Sequence, residues 1–169
     1  MLVAISMYEA SVPVLVRMLD SLVAILGKAA AHARAKNSDP DVFAGCRLIA
    51  DMHPLSRQIQ ILSDTAKGAA ARLAGVEPPQ WSDEEKTLAE LVERLKKTSD
   101  YLQTFEPEQI DGAEERKIVL KLGPNTVEFE GKSYLLTFVL PNFFFHAATA
   151  YDILRANGVE IGKRDYMGA

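Results

Sequence analysis

The sequence predicts an all-α fold, a four-helix bundle with a small β-hairpin between its third and fourth helices. Three observations carry the prediction. Four stretches place apolar residues at the i, i+3, i+4, i+7 spacing of a helix with one buried face. One short stretch after them, Ile118 to Phe129, changes to the two-residue period of a strand. Breakers fall between the periodic stretches: Asn37-Ser38-Asp39-Pro40, Gly75 with Pro78-Pro79, and Gly158. The connections are short and no internal repeat divides the chain, so residues 1–169 are expected to form a single domain.

The first helix is predicted over residues 3 to 35. Val12, Leu15, Val16, Leu19, Leu22, Val23 and Leu26 form its buried face, and the alanines from Ala29 to Ala33 extend it through high helix propensity. Asp39 is suited to cap the next element and Pro40 to its first helical position. The second helix is predicted over 40 to 74. Leu48, Met52, Leu55, Ile59, Leu62, Ala66, Ala69 and Leu73 make the alternating three- and four-residue seam of a bundle helix. Pro54 lies inside that pattern, which predicts a kink. Gly75 is the expected C-cap.

Ser82-Asp83-Glu84-Glu85 reads as a capping box opening the third helix. Leu88, Leu91, Val92, Leu95, Leu102 and Phe105 form its buried stripe. Glu90–Arg94 and Glu93–Lys97 are expected as i,i+4 pairs on the wet side. The hairpin pairs Ile118–Leu122 with Val127–Phe129 across a Gly123-Pro124-Asn125 turn, and a lone hairpin needs the helices to lie on. The fourth helix follows Gly131. Pro141 marks either a kink or the start of its main segment, and Gly158 its end.

Composition narrows the function classes. The chain has 169 residues, 48% hydrophobic and 25% charged, with a net charge of −4. That balance argues against a nucleic-acid partner held by a basic surface. The apolar N-terminus lacks a basic leader region and is interrupted by Glu9, Arg17 and Asp20. Neither a signal peptide nor a membrane span is expected, and a cytoplasmic location is. One cysteine, Cys46, excludes an intramolecular disulfide framework and a multi-cysteine metal site within one chain. There is no Gly-rich phosphate loop, no G-x-S-x-G elbow and no H-E-x-x-H.

Metal or acid–base chemistry is therefore confined to His32, His53 and His146. His146 lies beside Phe143-Phe144-Phe145, with Asn142 one turn before it on the same face. His53 flanks the Met52–Leu55–Ile59 seam. If the second and fourth helices are neighbours, His53, Asn142 and His146 converge. Two imidazoles and an amide oxygen could then hold a divalent metal with positions open to water. The alternative is a pair of structural histidines satisfied by hydrogen bonds. The phenylalanine run reads as core packing or as the wall of an apolar-ligand pocket. Cys46 reads as a small buried hydrophobe, or as a nucleophile if His53 lies beside it on the same helix. His32 reads as solvated, and Lys163-Arg164 as a basic tail.

The stretch Leu140-Pro141-Asn142-Phe143-Phe144-Phe145-His146-Ala147-Ala148-Thr149-Ala150-Tyr151-Asp152-Ile153-Leu154-Arg155-Ala156-Asn157-Gly158, with Ile161-Gly162-Lys163-Arg164-Asp165-Tyr166 after it, resembles a bacterial and fungal family of domains of unknown function. That family is similar in fold to the DinB-like four-helix bundles, which include metalloenzymes. The resemblance extends to the Tyr8–Leu26 helix and to Asp51-Met52-His53-Pro54-Leu55. DinB-like proteins carry one histidine on the second helix and an H-x-x-x-H pair on the fourth. They bind a divalent metal, and some are thiol-dependent transferases. The resemblance places His53 at the helix-two histidine and His146 at the second of the pair. Asn142 stands where the first would be, and an amide is a poor ligand for zinc or nickel.

The resemblance implies a site at His53, Asn142 and His146 that takes Zn, Ni or Mn in altered form, with metal-bound water or thiolate as the nucleophile. Two alternatives stand beside it: a non-enzymatic homodimer through helix faces with structural histidines, and an apolar-ligand binder.

Overall fold

Helix α1, Val12–Ala35, begins where Pro13 supplies the fixed φ of a first turn and lacks the N–H a longer helix would need. The computed structural model describes residues 5–168, so residues 3 and 4 of the first predicted helix lie outside the described residues, as does Ala169. Residues 7–11 form turns rather than regular helix, so α1 starts later than predicted. Val12, Leu15, Leu19, Leu22 and Leu26 of its expected face are buried, Val16 and Val23 half-buried, and Met18, Ile25, Ala29 and Ala33 widen the buried side.

The second predicted helix is the largest correction. Residues 40–74 are not one kinked helix. Pro40–Gly45 is a 3₁₀ turn capped by Asp39, whose side chain accepts from the Asp41 amide. An irregular stretch follows, and α2 then runs Leu55–Ala74. Pro54 sits in extended backbone at the N-cap, φ −69° and ψ 165°, so it starts the helix instead of bending it. A proline also disfavours helical backbone at the residue before it, which leaves His53 outside α2. Leu48 consequently leaves the seam and is exposed, whereas Leu55, Ile59, Leu62, Ala66, Ala69 and Leu73 are buried as expected. Gly75 ends α2 with φ 77°.

Helix α3, Leu88–Leu102, is opened by Thr87 and not by Ser82. The Thr87 hydroxyl accepts from the Glu90 amide at 3.2 Å, and the Glu90 carboxylate accepts from the Thr87 and Lys86 amides at 2.9 and 2.7 Å. Those amides hold the Glu90 carboxyl below its ordinary pKa. Thr87→Ala is expected to cost about 1 kcal/mol in urea unfolding. Unchanged stability would show that this cap does not contribute.

Ser82 and Glu85 are diverted by a residue misplaced in the sequence reading. Arg94 is not on the wet side; it is 4% exposed. Its guanidinium donates to Glu85, Asp64, the Ser82 carbonyl and Ser63 at 2.9–3.1 Å, and Asp83 lies 3.0 Å away. This cluster straps the segment before α3 to α2. Trp81 lies in that segment, with the ammonium groups of Lys67 and Lys97 4.5 and 4.4 Å from its ring centre. Glu93 pairs with Lys96 rather than Lys97.

Helix α4 is a single turn, Pro107–Ile110. Strands β1, Lys117–Leu122, and β2, Asn125–Glu130, pair antiparallel with Ile118 opposite Phe129 and Leu122 opposite Asn125. Gly123 at φ 60° followed by Pro124 closes the two-residue turn. Ile118 and Leu120 are buried, and Phe129 packs on Tyr134 and Phe138 at 5.9 and 5.7 Å between ring centres.

Helical backbone then runs on from α5, Gly131–Ser133, through a π-helical segment, Tyr134–Val139, into α6, Leu140–Ala156. Pro141 lies in the first turn of α6, and the wider π turn precedes it, where a proline ring crowds the carbonyl four residues back. A short α7, Lys163–Met167, returns onto α1, held by the Lys28–Asp165 pair and by Arg17 on the Met167 carbonyl.

Helix α3 packs between α1 and α2, and α6 packs on α2 and α1. Helices α1 and α2, consecutive in sequence, are therefore diagonal partners, and the segment 36–54 crosses the end of the bundle to join them. Hydrogen bonds Asn142–Thr65 and His146–Gln58 show α2 and α6 to be antiparallel.

Candidate metal centre between α2 and α6

Helix α6 turns the row Asn142–His146 toward α2. His146 is 8% exposed. Its Nδ1 lies 2.6 Å from Gln58 Oε1, while Gln58 Nε2 donates to the His53 carbonyl at 3.1 Å. These two contacts fix the chemistry of the ring. The Gln58 amide must present its oxygen to His146, so Nδ1 carries the hydrogen and Nε2 keeps its lone pair. Burial lowers the His146 pKa to about 4, helped by His53 and Arg57 nearby. The imidazole is neutral at pH 7, with Nε2 able to act as a ligand or a base. A glutamine that orients an imidazole through its other nitrogen does the work of an outer-shell partner at a metal site.

Asn142 is half-buried and its Nδ2 donates to Thr65 Oγ1 at 2.9 Å. The Thr65 hydroxyl spends its own hydrogen on the Ile61 carbonyl. The amide orientation follows, leaving Asn142 Oδ1 as its acceptor. His53 is exposed on the loop before α2, tied to His146 through the Gln58 bridge. Among the described residues, no group of three or more His, Cys, Asp or Glu could hold a metal ion. Any metal here would rest on two imidazoles and an amide oxygen, without a carboxylate.

Gln58 and Thr65 were missed in the sequence. Their signal was present: two polar residues seven apart, adjoining the apolar seam of α2. The other candidates separate. Cys46 is half-buried in the irregular stretch, not on a helix with His53, and its thiol lies 3.4 Å from the Val42 carbonyl. His32 is half-buried and near Phe43. The phenylalanine run divides: Phe143 is core, Phe144 half-buried and Phe145 54% exposed. No described helix is long and apolar enough to cross a membrane.

A solved structure of a DinB family member protein from Shewanella denitrificans is similar to the chain over 96% of its length and 92% of the other chain, at 40% identity and a TM-score of 0.86. No curated protein matches. A family profile described as "Domain of unknown function (DUF1993)" matches residues 7–167. With the bundle, the late hairpin and that match, the chain belongs to the DUF1993 family, a DinB-like domain of unknown function.

Proposed function

We propose that the α2–α6 end of this bundle binds a divalent cation weakly through His146 Nε2, the His53 imidazole and Asn142 Oδ1, with water completing the shell. The observation that carries the reading is the Gln58 bridge, which places the hydrogen on His146 Nδ1 and leaves Nε2 its lone pair in a ring that burial keeps neutral. Imidazole suits zinc and nickel, and the amide oxygen suits manganese better than a third histidine would. A bound cation would supply Lewis acidity to a water or thiol. The protein's own contribution is to orient His146 through Gln58 and Asn142 through Thr65.

The test is metal analysis and calorimetric titration of tag-free protein with zinc, nickel and manganese. One-site binding in the micromolar range or weaker is expected, about tenfold or more weakened in His146→Ala. Gln58→Leu should weaken binding as well, because it removes the group that selects the tautomer. No saturable binding, or equal binding in His146→Ala, would leave the histidines structural.

A further inference from the structure

A groove of about 260 Å³ runs along α2 between the hairpin and the start of the α5–α6 run. Leu120 and Phe138 give it apolar wall, and Arg57, Arg72 and Lys121 give it positive charge. Asp64 also reaches it, but this carboxylate is held by Lys67 at 2.7 Å and Arg94 at 2.9 Å. Arg57 is paired with Asp83. Among the described residues, no carboxylate lies within 4.0 Å of the Arg72 or Lys121 cation. Arg72 and Lys121 therefore bring positive charge to the groove that no adjacent carboxylate neutralises.

Arg72 is also seated. Its Nη1 donates to Tyr134 Oη at 3.2 Å. Burial raises the Tyr134 pKa, so the phenol is a neutral acceptor and not a counter-charge. The guanidinium folds back over Gly68, where an added Cβ would lie 2.2 Å from Nη1. Gly68 is in the interior of α2, followed by three alanines, and glycine there costs about 1 kcal/mol relative to alanine. Helix stability alone favours alanine at this position. The absent methyl leaves room for the Arg72 guanidinium in this position, where it meets Tyr134 and no carboxylate.

We propose that this groove binds a small organic phosphate monoester. Arg72 and Lys121 hold the phosphate, and Leu120 and Phe138 cover its apolar part. Two uncompensated cations match a dianion better than a monocarboxylate, and a planar guanidinium takes phosphate oxygens in pairs. The proposal does not rest on the metal reading.

The experiment titrates tag-free full-length protein in phosphate-free, low-salt buffer with phenyl phosphate, inorganic phosphate and benzoate, followed by NMR shifts. Saturable binding of phenyl phosphate is expected, tighter than that of the other two, with shifts at Arg72, Lys121 and Phe138. Arg72→Gln and Gly68→Ala should each weaken it about tenfold or more, while the thermal midpoint of Gly68→Ala stays level or rises. Thr65 and Asn142 also line this groove, so the titration is run on metal-free protein, where anion binding is read apart from any cation. No saturation by about 10 mM, or equal binding in Arg72→Gln, overturns the site. Full binding in Gly68→Ala alone overturns the role of the room left at Gly68. Benzoate bound as tightly as phenyl phosphate overturns the ligand class.

Discussion

Arg94→Met is expected to lower the unfolding free energy by about 3 kcal/mol and to free the segment carrying Trp81. The Arg94 side chain is nearly inaccessible and is met by Asp64, Asp83 and Glu85, by Ser63, and by the Ser82 carbonyl. Removing the cation takes the shared partner from three carboxylates: Asp64 keeps Lys67, Asp83 keeps Arg57, and Glu85 is left with the Gln60 amide. Breaking a buried network from one side costs about 3–5 kcal/mol. The lower figure applies here because Asp64 and Asp83 are partly exposed and can rehydrate. Lys96→Met provides the contrast: its pair with Glu93 is exposed on both sides and should cost well under 1 kcal/mol. Urea unfolding measures both, and amide exchange at Trp81–Glu85 reports the strap. An Arg94→Met loss no larger than that of Lys96→Met would mean the cluster contributes nothing net.

Acidification is expected to produce the other large effect. In metal-free protein His146 has a pKa of about 4, against 6.5 for an unperturbed histidine. The unfolded chain takes up this proton first as pH falls. Stability from His146 is therefore complete above about pH 7 and is lost between about 6.5 and 4, by a total of about 3 kcal/mol. His146→Gln should remove this component of the pH dependence while offering its amide to Gln58. The check is unfolding free energy measured at steps from pH 7 to 4 in both proteins, with the ring followed by NMR. An imidazole titrating near 6.5 in the folded state would overturn the prediction.

The helices whose burial is periodic were legible because periodicity is a local property. The seam from Leu55 to Leu73 is buried as its spacing required, and so is the stripe from Leu88 to Phe105 apart from the half-buried Val92. So was the hairpin, where Gly123-Pro124 closes a two-residue turn. The errors fell where two local signals competed. At Pro54 the apolar pattern continued through a residue whose geometry starts helices, and the geometry prevailed. At Ser82–Glu85 a good capping sequence lost to Thr87–Glu90, since a carboxylate bonded to a buried guanidinium gains more than one bonded to a surface amide.

The candidate site was legible in its histidines and not in their partners. His53 and His146 stand out because the chain has so few histidines, and Asn142 because it lies one helical turn from His146. Gln58 is one of many polar residues until α2 and α6 pack antiparallel, and only then does it meet His146. Arg94 and Arg72 are similar cases. Arg94 belongs to an ordinary charged helical stretch with nothing nearby to mark it as buried; Arg72 stands one turn after Gly68 in an alanine-rich stretch, but its partner Tyr134 lies in another element.

The sequence by itself determined the element types, the buried faces and the short list of residues able to do chemistry, because these depend on spacing along one chain segment. Tertiary structure decided which polar groups meet. The partners of His146, Arg94 and Arg72 lie 88, 30 and 62 residues away in Gln58, Asp64 and Tyr134. Contacts over such separations form only after helix packing has excluded water. That exclusion sets the protonation of His146 and makes the Arg94 cluster costly to break.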